Sequence, residues 1–103
     1  ALVAYSDALE SPGAEAHVLH SNRCAAYLQL GRVPEATMDA RACTRLAPKY
    51  AKGWVRLGGC LLRTEGAQEE GVRALEKALE LEPGNASTRE ALRNARQGGG
   101  GGG

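Results

Sequence analysis

The chain has 103 residues, 43% hydrophobic but only 4% aromatic, with 13 basic against 12 acidic side chains. That length bounds it to one domain with a modest core of small residues, and a net charge of +1 excludes recruitment of nucleic acid or an acidic membrane by bulk charge. With no run of 18 apolar residues and no basic-then-apolar opening, neither a spanning segment nor a secretory signal is read, and three scattered cysteines suit a cytoplasmic protein with reduced thiols.

In chain order, hydrophobic spacing predicts a short helix near 1–10, then helices over 16–30, 33–46, 50–64, 68–81 and 86–97. Breakers separate them at Pro12-Gly13, Gly31, Pro48, Gly66 and Pro83-Gly84. Pro34 falls in the first turn of its helix, where a missing N–H costs little. Asn85, Ser87 or Thr88 can cap the last helix. No segment alternates with period two for long enough to suggest a strand. Gly98 to Gly103 offer no side chain to bury and read as a tail or linker.

The helices repeat. Pro48 and Pro83 lie 35 residues apart, each after an apolar helix end, "TRLAPKY" and "LELEPGN". Upstream of Pro48 stand Cys43, Ala40, Ala36, Tyr27 and Cys24, and upstream of Pro83 stand Ala78, Leu75, Gly71, Leu62 and Gly58. These intervals agree within one residue, and Gly66 is the expected place of the extra one.

This pattern resembles the tetratricopeptide repeat (TPR), a helix–turn–helix unit of 34 residues. Trp54, Leu57 and Gly58 fit its W-x₂-L-G opening, and Tyr27, Ala36 and the two prolines fit later positions. The resemblance covers 1–97 and implies an all-α, right-handed solenoid of about two and a half repeats. "ASTREALRNARQ" is then the closing, solvating helix, and 98–103 lie outside the domain. "ALVAYSDALE" looks like the second half of a repeat whose first helix lies upstream, which leaves the Leu2, Tyr5 and Leu9 stripe without its partner in this chain.

Lys52 and Arg56 stand one turn apart on the predicted 50–64 helix, with Arg63 roughly on the same stripe. The preceding groove-lining helix offers Asn22 and Gln29. Asn22 precedes Lys52 by 30 residues and Arg56 by 34, so all three are expected to meet over one patch of a concave groove. An ammonium, a guanidinium and an amide without an acid suit carboxylates, because charge-assisted hydrogen bonds are the strong kind.

"SNRCAAY" and "AKGWVR" are similar to motifs of carboxylate-clamp TPR co-chaperones, the Hsp-organising and myosin-chaperone families. That resemblance implies an adaptor for the Glu-Glu-Val-Asp C-terminus of the seventy- and ninety-kilodalton heat-shock chaperones, with a client reached through other domains. Asn22 would take the terminal main-chain carboxylate, Lys52 the aspartate side chain, and Arg56 would support the same end. The family's other clamp lysine and asparagine belong to the upstream helix, and Gln29 stands where relatives often carry a basic residue. The competing reading is a TPR scaffold that ignores free C-termini.

Arg23, beside Asn22, reads as surface. His20 and Cys24 have a spacing a metal could use, but Cys24 fits a packing position and no second ligand pair is evident, so no metal or cofactor is expected. Cys43 and Cys60 read as inert packing thiols, and Trp54 and Tyr27 as packing aromatics. Dispersed carboxylates and the absence of a phosphate loop give no reason to expect an enzyme.

Overall fold

The computed structural model describes residues 15–101, and its side chains over 15–97. The expected helix near 1–10, with its Leu2, Tyr5 and Leu9 stripe, lies outside the described residues. Five helices follow in order: α1 (Ala16–Gln29), α2 (Val33–Leu46), α3 (Ala51–Leu62), α4 (Gln68–Leu81) and α5 (Ala86–Gly101). Among the described residues there is no strand, and no helix is long and apolar enough to cross a membrane. Each helix packs antiparallel to its sequence neighbour through a short turn, and α1 also touches α3. Such stacking makes an extended body of 48 × 28 × 19 Å.

Local chemistry fixes the helix ends. α1 stops at Gly31, whose φ of +77° suits a residue without a Cβ. The Arg32 N–H then bonds the Tyr27 carbonyl at 2.9 Å and the Gly31 N–H bonds that of Leu28 at 3.1 Å, the paired closure typical of glycine-ended helices. Pro34 enters the first turn of α2 as expected. α3 ends two residues sooner than expected, because Arg63 and Thr64 N–H groups bond back three residues, to Cys60 and Leu61, and the Thr64 hydroxyl also bonds the Cys60 carbonyl at 3.0 Å. Tightened bonds of this kind close a last turn. The α3–α4 turn, containing Gly66, is longer than the α1–α2 turn, where the extra residue was expected. Asn85 caps α5, its Oδ1 accepting the Thr88 N–H at 3.1 Å. α5 runs on to Gly101 instead of ending near 97. Glycine is about 1 kcal/mol poorer than alanine in a helix, so the sequence did not suggest that extension.

The repeat is visible in hydrogen bonds. The Trp54 indole N–H donates to the Pro48 carbonyl at 2.8 Å. Arg89, 35 positions on, donates to the Pro83 carbonyl, also at 2.8 Å. Different side chains thus perform one task, tying each new helix to the turn before it.

The core is built from small groups. Cys24, Ala36, Ala40, Leu57, Cys60, Leu61 and Ala74 form one cluster, with Tyr27, Leu28 and Trp54 packed on its margin. Small residues let backbones approach closely. A Cβ placed on Gly58 would lie 2.8 Å from Leu75 Cγ and 3.1 Å from the Gly71 carbonyl oxygen, whereas one on the adjacent Gly59 would meet nothing within 4 Å. Gly58 is therefore the contact that seats α3 on α4.

Candidate functional site: the groove beside α3

α3 buries Ala51, Gly53, Leu57, Gly58, Cys60 and Leu61, a stripe that leaves Lys52 and Arg56 on the remaining face. Both line an open hollow of about 570 Å³ between α3 and α5, with Tyr50, Val55, Glu82, Asn85, Ser87, Thr88 and Ala91 completing its walls. Lys52 is exposed and Arg56 half-buried. Neither has a hydrogen bond or ion pair among the described residues.

Arg56 is the unusual group. Its Nε is buried with no hydrogen-bond partner, an expensive condition for a charged donor. Its charge acts to lower the pKa values of the Cys24, Cys43 and Cys60 thiols. A half-buried cation whose donor finds no acceptor among the described residues is suited to an acceptor from elsewhere.

The other expected residues are placed as follows. Asn22 is half-buried on α1 and makes no side-chain hydrogen bond among the described residues, but it is not in the wall of the α3–α5 hollow. Gln29 is exposed near the end of α1 and Arg63 is exposed at the end of α3. So the hollow joins Lys52 to Arg56, while Asn22, Gln29 and Arg63 lie outside its wall. Two features escaped the sequence. Glu82 puts an acid in the wall, where an acid-free patch was expected, because the α4–α5 turn carries it there. Asn85 and Thr88, read as capping groups only, also face the hollow.

Arg23 is not a free surface group. Its Nε and a terminal nitrogen donate to both oxygens of Asp39 at 2.9 and 2.7 Å, and its guanidinium lies 5.9 Å from the centre of the Tyr27 ring. His20 Nδ1 meets the same carboxylate at 2.9 Å. Asp39 is only 3% exposed, so three groups from α1 and α2 form one nearly buried cluster. The carboxylate holds Arg23 above the ordinary guanidinium range. His20 Nδ1 therefore faces Asp39, and Cys24 faces Cys60. Among the described residues no three His, Cys, Asp or Glu side chains are grouped to hold a metal ion.

No family model matches the chain. Similarity to individual proteins is nonetheless clear. The yeast (Saccharomyces cerevisiae) heat shock protein STI1 is 36% identical over 92 residues, which cover 89% of this chain and 15% of that protein. The first TPR of Spaghetti (RPAP3), solved bound to the HSP90 peptide SRMEEVD, superposes with a TM-score of 0.83 at 28% identity, covering 94% of this chain and 75% of that one. This chain is a TPR domain. The second TPR domain of human RPAP3, solved with the HSP70 peptide SGPTIEEVD, gives a TM-score of 0.82 at 29% identity and covers 92% and 78%. This TPR domain thus spans a small part of STI1 and most of the solved domains it resembles. Its helix pairs are α1–α2 and α3–α4, with α5 closing the array.

Proposed function

We propose that this TPR domain is a co-chaperone adaptor that binds the acidic C-terminal tail of heat-shock chaperones of the seventy- and ninety-kilodalton classes. The observation that carries it is the pair Lys52 and Arg56 in one open hollow, with Arg56 Nε buried and unpartnered. Resemblance to domains solved with HSP90 and HSP70 peptides ending in Glu-Val-Asp supports the same ligand class.

In this reading Lys52 takes the aspartate side chain and Arg56 supports the same end of the peptide. Asn22, on the adjacent helix, takes the terminal main-chain carboxylate, and Gln29 and Arg63 make outlying contacts. Residues 1–97 form the binding domain and 98–103 a tail or linker. Charge-assisted hydrogen bonds contribute about 1.5–3 kcal/mol each. Three to five of them, less the cost of ordering a peptide, give roughly micromolar affinity, about −8 kcal/mol. Glu82 on the α5 side repels acids, so the carboxylates sit against α3.

The test is a calorimetric titration of the chain with a peptide ending Glu-Glu-Val-Asp, beside its C-terminally amidated form. The reading expects micromolar binding of the free acid and at least ten-fold weaker binding of the amide. Equal affinities, or none, favour a scaffold that ignores free C-termini.

A further inference from the structure

Cys24 and Cys60 lie 36 positions apart in sequence, on α1 and α3, yet their sulfurs are 3.5 Å apart, one thiol donating to the other. Both are free and fully buried. α1 and α3 are the first helices of the two pairs, and they meet here. Asn22 lies two residues before Cys24, and Arg56 one turn before Cys60. Whatever fixes this sulfur contact therefore fixes the spacing of the helices that carry the groove's polar groups.

From this geometry we infer that Cys24 and Cys60 form an oxidation site, joined by a hydroperoxide into a disulfide that pins α1 to α3. A bond needs the sulfurs to close from 3.5 Å to about 2.05 Å. Cys60 is the first to react. Its thiol is held below the ordinary range by the hydrogen bond with Cys24, by Thr37 and by the positive charges of Arg63 and Arg56, against the opposing effect of burial. Cys24 is pushed up by the same bond and by burial, so it keeps its proton until its partner is oxidised. The Cys60 sulfur attacks the peroxide, the O–O bond breaks, and Cys60 sulfenic acid and an alcohol (water, for hydrogen peroxide) are formed. The Cys24 sulfur then attacks the sulfenic sulfur. The S–S bond forms, the S–O bond breaks and water leaves. Two thiols have lost two hydrogens and two electrons to one peroxide. Cys43 takes no part: its thiol is buried elsewhere, against Gly53, and burial pushes its pKa up.

Access comes from local opening of the helix array. A hydroperoxide is little larger than water, so transient separation of α1 and α3 admits it to the Cys24–Cys60 contact. The cross-link itself does not depend on what the groove binds. Its effect on affinity does rest on the peptide reading above.

The test treats the reduced chain with hydrogen peroxide, blocks remaining thiols after unfolding, and maps tryptic peptides by mass. Met38, 71% exposed, reports through its sulfoxide that oxidant has acted. The expected product joins residues 24–32 to residues 57–63, is reversed by dithiothreitol, and raises the unfolding midpoint by about 10 °C. Cys60→Ala and Cys24→Ser each abolish it; circular dichroism selects the variant that stays folded. Met38 sulfoxide with Cys24 and Cys60 still blockable, or a bond to Cys43 or to a second chain, overturns the inference. In a parallel titration with the Glu-Glu-Val-Asp peptide, the cross-linked form is expected to differ at least three-fold in Kd from the reduced form. A cross-link that leaves Kd unchanged overturns its hold on the groove. Absence of peptide binding in both forms overturns the peptide reading and leaves the mass result standing.

Discussion

Arg23 on α1 and Arg56 on α3 are both half-buried cations on the first helix of a pair, yet their surroundings are opposite. Arg23 has two bonds to Asp39 and a Tyr27 ring beside it. Arg56 has a buried nitrogen with no partner among the described residues and an open hollow in front of it. The α1–α2 pair has spent its charges on holding two helices together. On the α3–α5 side Lys52 and Arg56 face an open hollow instead. A buried cation that is paired belongs to the architecture, and one that is unpaired costs stability unless something else uses it.

The largest expected effect comes from breaking the paired side. Asp39→Ala strands Arg23 and His20 against a buried gap and is expected to cost about 3 kcal/mol or more, read by urea unfolding. A loss under 1 kcal/mol would mean that the cluster is not structural. Next comes the seat of the open side. Gly58→Ala is expected to cost about 1–3 kcal/mol by overpacking Leu75. Gly59→Ala, with space around its Cβ, should instead gain about 0.5–1 kcal/mol. Equal effects at the two positions would remove the claim that α3 rests on α4 through Gly58.

The smallest effect is that of a pair which is matched but exposed. Arg41 donates to Glu70 at 2.8 Å with both side chains about half exposed, and the guanidinium holds the Glu70 carboxyl below its ordinary pKa. A lowered folded-state pKa adds stability above the unfolded carboxylate value, and that stability is lost as pH falls through the folded value. Solvent screening limits it to about 0.3 kcal/mol. Glu70→Gln should therefore differ from the parent by only that amount at neutral pH, and the difference should vanish once pH has fallen through the folded-state value and the carboxyl is protonated.

The helices were legible because their ends are written in local chemistry: Gly31, Pro34, Pro48, Gly66 and Asn85 act within a few residues of where they stand. The repeat was legible because small residues recur at fixed intervals. The Arg23–Asp39 bond was not, since it joins residues 16 positions apart and depends on how α1 and α2 are rotated against each other. Glu82 was missed for a similar reason. In sequence it is one more acid in "ELE", and only the α4–α5 turn brings it to the wall facing Lys52. Lys52 and Arg56 were found because one helical turn is enough to pair them. The cysteines were read singly as packing groups, whereas the contact between two of them needs the register of α1 on α3.

The most direct measurement is a peptide titration of Arg56→Ala beside the parent chain, with urea unfolding of both. Arg56 is held to serve a ligand and not the fold. Affinity for a Glu-Glu-Val-Asp peptide should therefore fall at least ten-fold, while unfolding free energy stays within about 1 kcal/mol, the remainder reflecting its packed stem. Unchanged affinity, or a loss of stability like that of Asp39→Ala, would contradict the account.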